Sequence, residues 1–145
     1  MMTPKSVAIA NDHAALDLKN ALVGYLASAG YVLLDLGTNS SDSVDYPDYA
    51  RKMADSLAAG TADVGILLCG SGIGISMAAN RYRHVRAALV HDALGARLAR
   101  QHNDANVIVL GGRTTGVETA IDCLNVFMRT AFEGGRHCAR IEKIS

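Results

Sequence analysis

The sequence predicts an α/β fold, a three-layer sandwich in which helices cover both faces of a five-stranded parallel sheet. Three observations carry this reading. Short apolar runs alternate with amphipathic stretches five times along the 145 residues, and such alternation packs as parallel strands joined by crossover helices. The runs are nearly continuous in apolar residues, as in strands buried on both faces. Hydrophobic residues make up 50% of the chain, enough for one core, and no low-complexity linker divides it. A single Rossmann-like domain over residues 1–145 follows, with residues 134–145 as a C-terminal tail outside the alternation.

The first strand is expected at residues 6–10, bounded by Asn11 and Asp12. Leu18, Leu22, Tyr25, Leu26 and Ala29 then recur at helical spacing, with Asp17, Lys19, Asn20 and Ser28 off that face. The second strand, 32–36, stops at Gly37. Pro47 suits a first helical position, where its missing N–H costs nothing, and that helix should end at Gly60. The third strand, 64–69, runs into a glycine turn with Cys69 at the junction. Strands at 86–90 and 107–110 flank a helix that starts from Asp92. Thr115 and Glu118 read as a capping box for a last helix bearing Val117, Ile121, Leu124 and Met128.

Composition excludes several classes of function. Fourteen basic and 14 acidic residues balance, so no positive field invites nucleic acid or an anionic membrane surface. No apolar run approaches the roughly 20 residues of a membrane span. The amino terminus enters a strand directly, without the layout of a signal peptide. A soluble, cytoplasmic chain is expected. Its 3 cysteines are odd in number and widely spaced, unlike a disulfide framework or a Cys-x-x-Cys metal clip. Cys123 reads as a small core residue on a helix, and Cys138 as incidental to the tail. The 5 histidines show no recognised ligand spacing, so neither a metal nor a cofactor is expected.

Parallel sheets bind ligands beyond the carboxyl ends of their strands. Those ends carry Asn11, Asp12 and His13; Gly37 and Thr38; Cys69, Gly70, Ser71 and Gly72; His91 and Asp92; and Gly111, Gly112 and Arg113. The turn after Cys69 is not a dinucleotide fingerprint, because the sixth position, which needs glycine, is Ile75. A phosphate-binding Walker loop also fails, since no Lys-Ser/Thr follows. What remains is an anion cradle with a thiol at its edge. Free N–H groups of residues 70–74 would open a helix whose positive end favours a thiolate. Such a thiolate can take a carbon-bound proton while the amides hold the oxyanion that forms. The competing reading is a core cysteine that merely ends a strand.

Five segments decide between these readings: ANDHAALDLK at 10–19, DYPDYA at 45–50, CGSGIGISMAANR at 69–81, RQHNDANVIVLGGR at 100–113 and EGGRHCARI at 133–141. In order and across essentially the whole chain, they resemble ribose-5-phosphate isomerase type B, a family that includes the galactose-6-phosphate isomerase subunits. The resemblance implies a metal-free aldose–ketose isomerase of carbohydrate metabolism, interconverting ribose 5-phosphate and ribulose 5-phosphate of the pentose phosphate pathway through a cis-enediolate. By motif, Cys69 matches the base, and Gly70, Ser71, Gly72 and Gly74 match the loop around the enediolate oxygens. Many relatives carry threonine where Ser71 stands, and the hydroxyl is kept. Asp12 and Tyr46 match sugar contacts. His102 matches the acid/base that opens the furanose ring, with Asn103 beside it. His13, Arg113, Arg136, His137 and Arg140 match residues at or near the phosphate.

One inference is geometric. A helix from Asp92 runs back against the strands for about 15 Å over ten residues, which leaves His102 at the amino edge of the sheet, opposite Cys69. If both act on one sugar, His102 comes from a neighbouring chain, and the protein is a homodimer with shared sites or a higher oligomer. The resemblance implies the same sharing. Two alternatives stay open on sequence: an isomerase of a six-carbon sugar phosphate (allose or galactose 6-phosphate), and a non-catalytic sugar-phosphate or nucleotide-binding module.

Overall fold

The structure is a computed structural model that describes Pro4 and residues 6–145. Along the chain lie β1 (Ser6–Asn11), a short 3-10 turn (His13–Ala15), α1 (Leu16–Ser28), β2 (Val32–Gly37) and α2 (Tyr46–Ala59). β3 (Val64–Cys69), α3 (Ile73–Ala79), β4 (Ala87–Leu89), α4 (Ala93–Asn103), β5 (Val107–Gly111), α5 (Val117–Arg129) and α6 (His137–Ile144) follow. The strands form one parallel sheet in the order β2-β1-β3-β5-β4. This is the predicted α/β sandwich.

Strand side chains alternate between faces, and the core divides accordingly. Val7, Ile9, Ile66, Leu68, Ile108 and Leu110 pack with residues of α1, α4 and α5, among them Leu22, Leu124 and Phe127. Ala8, Ala10, Leu67, Val107 and Val109 face Met53, Ala54, Ile75 and Ala79 of α2 and α3, and Cys69 shares that side. Leu22 and Phe127 are fully buried, each contributing about 1.5–3 kcal/mol relative to exposure. From β1 the chain crosses to β2 on one side, while β3 pairs with β1 on the other. That reversal opens a crevice at the carboxyl ends of β1 and β3.

Several local expectations need correction. β2 is an edge strand with half of its residues exposed, Val32 at 67%, so its apolar run does not mean burial on both faces. β4, the other edge, is shorter than expected at 3 residues. Lys19 lies buried rather than on the solvent side of α1. Its ammonium pairs with Asp35 Oδ2 at 2.7 Å and donates to the Thr38 carbonyl at 3.3 Å and to Asn39 Oδ1. Gly116, not Thr115, caps α5, and no side chain makes the cap bond. The Thr115 N–H is committed to the Gly111 carbonyl at 3.0 Å, which holds Thr115 in the turn leaving β5, a residue too early to cap. Pro47 sits one place later than expected, after Tyr46, and Gly60 ends α2 in a left-handed conformation at φ 72°. The tail is helical from His137, after Gly134 and Gly135 turn the chain at positive φ.

Candidate active site

The crevice is a cavity of about 560 Å³ lined by Asp12, His13, Ala14, Tyr46, Cys69, Gly70, Ser71, Ile73, Gly74, Arg113 and Thr114. Most of its polar groups reach it from strand ends, and Tyr46 comes from the first position of α2. Asp12 follows β1 and caps the 3-10 turn, its Oδ1 accepting the Ala14 N–H at 3.0 Å. The next residue, His13, accepts the Val44 N–H at Nδ1 (3.2 Å), so in the neutral ring the proton sits on Nε2.

Cys69 ends β3 and is only 5% exposed, with its sulfur accepting the Gly72 N–H at 3.2 Å. Ser71 Oγ accepts the Ile73 N–H at 3.2 Å. The amide row of residues 70–74 is therefore not wholly free, as the sequence suggested. Two of its donors serve the thiol and the serine hydroxyl. No acceptor among the described residues takes the Gly70, Ser71 and Gly74 N–H groups. Gly72 itself does not line the cavity. It makes the turn, at φ 77°, tight against Leu110.

The glycine turn is clamped to the end of β5. Gly112 N donates to the Cys69 carbonyl at 2.8 Å and Arg113 N to the Gly70 carbonyl at 2.9 Å. A Cβ on Gly111 would stand 2.7 Å from the Ser71 carbonyl carbon, so only glycine permits the approach. A Cβ on Gly74 would stand 2.6 Å from Tyr46 Cζ, which shows how closely the phenol leans on the turn. The two other cysteines differ. Cys138 is exposed, and burial, aided by Asp122 and Asp92, pushes the Cys123 thiol up to about 11.

The remaining expected residues lie elsewhere. His102, in the last turn of α4, stacks on His137 with ring centroids 4.5 Å apart. Both Nε2 atoms face Glu133 Oε1, at 3.5 and 3.7 Å. Asn103 borders a separate cavity of about 270 Å³ with Asn80, Arg86 and Ile144. Arg136 and Arg140 are exposed beside the same histidines on the tail. None of these five residues lines the thiol cavity. Sequence reading missed Glu133, whose one local signal is its place four residues before His137. Ala14, Ile73 and Thr114 were also unforeseen. Among the described residues no helix is long and apolar enough to cross a membrane.

Comparison with known proteins supplies the remaining finding. Residues 7–144 match the family described as Ribose/Galactose Isomerase. The ribose-5-phosphate isomerase B of Escherichia coli is 42% identical over 97% of this chain and 95% of its own. A crystal structure of a ribose 5-phosphate isomerase from Thermotoga maritima superimposes with a TM-score of 0.95, at 53% identity over 96% of both chains. The type B ribose 5-phosphate isomerase of Trypanosoma brucei gives 0.92, at 46% identity over 97% of this chain and 96% of that one.

Proposed function

The chain belongs to the ribose/galactose isomerase family, and we propose that it interconverts ribose 5-phosphate and ribulose 5-phosphate through a cis-enediolate, without metal or cofactor. One observation carries this reading. A thiol at a strand end meets unclaimed backbone donors, a serine hydroxyl and an arginine in one cavity. A proton transfer between adjacent carbons needs a base on the C–H and donors on the oxygens.

Cys69, as thiolate, takes the C2 proton of the open aldehyde. The C–H electron pair becomes the C1–C2 double bond, and the carbonyl electrons settle on O1. The Gly70, Ser71 and Gly74 amides and the Ser71 hydroxyl hold the enediolate oxygens. Return of the proton to C1, with O2 losing its proton and O1 gaining one, gives the ketose. Asp12 and Tyr46 bind the sugar hydroxyls. His13 and Arg113 contribute to the phosphate end, where a planar guanidinium suits a dianion.

Sugar phosphates of this kind are mostly cyclic, so a proton must first reach the ring oxygen. An imidazole can both give and take such a proton, yet His102 lies apart from Cys69. In this reading His102 of the partner subunit opens the ring, with Asn103 of the partner subunit beside it. The partner subunit's Arg136, the partner subunit's His137 and the partner subunit's Arg140 complete the phosphate site. Apolar side chains exposed on α3 and α4, Ile73, Met77, Leu94 and Leu98, supply material for such an interface.

The test is a panel of five- and six-carbon aldose phosphates, run on wild type and Cys69→Ala. Turnover of ribose 5-phosphate is expected, falling about 10²–10⁴-fold without the base. Folded wild-type protein that turns over none of the panel would overturn the reading. Preference for a six-carbon substrate would move it to the galactose side of the family.

A further inference from the structure

Three side chains outside the thiol cavity converge, joined by long histidine–carboxylate contacts and a ring stack. His102 comes from the end of α4, Glu133 from the loop after α5, and His137 from the first position of α6. One ligand atom from each, an imidazole nitrogen of either histidine and a carboxylate oxygen, lies within 4.8 Å of the other two. The two nitrogen–oxygen separations, 3.5 and 3.7 Å, exceed the roughly 2.7–3.2 Å of a good N–H···O bond. They lie close to the spacing of two atoms that share a third. Ligands about 2.0–2.1 Å from a tetrahedral zinc ion stand about 3.3–3.4 Å apart.

We propose that His102, Glu133 and His137 form a binding site for a borderline divalent cation, Zn²⁺ above all, whose occupancy inhibits the enzyme. Two imidazoles and one carboxylate, with a position left for water, are a recurrent zinc donor set, and imidazole disfavours Mg²⁺ and Ca²⁺. The frame is partly fixed in advance. Glu133 N donates to the Gln101 carbonyl at 3.0 Å, tying the loop to the last turn of α4. His137 is buried, whereas the side chains of His102 and Glu133 are 40% and 51% exposed, which leaves a path for the ion. The rings now stack with their planes 16° apart. Binding therefore turns each imidazole about Cβ–Cγ until both lone pairs meet the ion, a soft torsion for such rings. A metal on the His102 imidazole occupies a nitrogen through which the ring would pass a proton. The inhibitory half of the proposal thus rests on the ring-opening role given to His102 above, whereas the site itself does not.

The experiment titrates the chelator-treated full-length protein with Zn²⁺ by calorimetry and with Co²⁺ by visible absorption, alongside ribose 5-phosphate turnover. One ion per chain is expected. Glu133→Gln and His137→Asn should each weaken binding at least about tenfold, the loss that even an outer-shell partner produces, and Cys138→Ser should leave it unchanged. The Zn²⁺ concentration for half inhibition should coincide with the binding midpoint and rise by the same factor in Glu133→Gln. Absence of saturable binding, equal affinity in both ligand variants, or thiolate-to-cobalt charge-transfer absorption would overturn the site. Binding at full strength with undiminished turnover would overturn the inhibitory half and the assignment of ring opening to His102, leaving the cation site in place.

Discussion

Mixing two inactive variants tests whether the site is assembled from two chains. The perturbation is Cys69→Ala in one preparation and His102→Asn in the other. The eleven-residue α4 runs from the carboxyl edge, where β4 ends, back to the amino edge, where β5 begins. At 1.5 Å per residue this carries His102, the tenth residue, about 15 Å back from the carboxyl edge, well beyond the reach of an imidazole within one chain. If sites are shared across an isologous dimer, a one-to-one mixture at random exchange contains about one half hybrid dimers, each with one intact site of two. Turnover should then recover to about one quarter of the wild-type value per chain. The assay follows ribose 5-phosphate isomerisation after mixing, with native mass spectrometry of isotope-labelled partners to confirm exchange. No recovery in a mixture with proven hybrids refutes the sharing. It would leave His102 to act within one chain or not at all.

Three further outcomes follow from specific contacts. Gly74→Ala gains roughly 0.5–1 kcal/mol of helix propensity, but its Cβ would stand 2.6 Å from Tyr46 Cζ. The melting temperature should hold or rise while KM increases several-fold; unchanged KM would show that Tyr46 does not set the sugar site. At the Lys19–Asp35 pair, with Lys19 1% and Asp35 36% exposed, Asp35→Asn should cost about 2 kcal/mol, more than Lys19→Met at about 1, because it strands a buried ammonium. Urea denaturation that reverses this order would show the pair to be solvated. Finally, burial and then the positive charges of His102 and Arg136 hold His137 below its ordinary value of 6.5, against the opposing pull of Glu133 and with Arg140 adding to the lowering. The unfolded chain then binds the extra proton first, so stability falls as pH drops below 6.5 towards the lowered folded value. Thermal melts in chelator should show a shallower acid slope for His137→Asn than for wild type, and equal slopes would exclude this contribution.

How much was legible in sequence depended on whether a residue acts through the chain's own local path. Cys69, Ser71, Gly70 and Arg113 stand at strand ends, and a parallel sheet gathers its strand ends whatever the details of packing. Lys19 was misplaced because helical spacing says which side of α1 faces the sheet, not that β2 offers Asp35, and the loop after it the Thr38 carbonyl and Asn39, to the lysine ammonium. The capping box failed for a similar reason. Thr115 and Glu118 have the right spacing, but the turn bond to Gly111 had already claimed the threonine backbone. Glu133 was invisible, since its meeting with His102 arises from α4 and the tail coming together over more than thirty residues of chain.

The same topology explains why the expected site residues fall into two groups. Each crossover helix leaves a carboxyl edge and returns its last turn to the amino edge, so residues of strand ends and helix ends are separated by the depth of the sheet. Cys69 and Arg113 belong to the first kind, His102 to the second, and the tail at Arg136, His137 and Arg140 packs beside the second. One chain of this fold can build a thiol cavity with its donors already aimed, but it delivers its histidine pair to the opposite edge. A fold change would be needed to bring the two together within a molecule. A two-fold axis would do it without one, since each copy would then offer its helix end to the strand ends of the other, giving as many complete sites as chains. The exposed apolar side chains of α3, beside the thiol turn, and of α4, which carries His102, lie on the two elements such an axis would have to join.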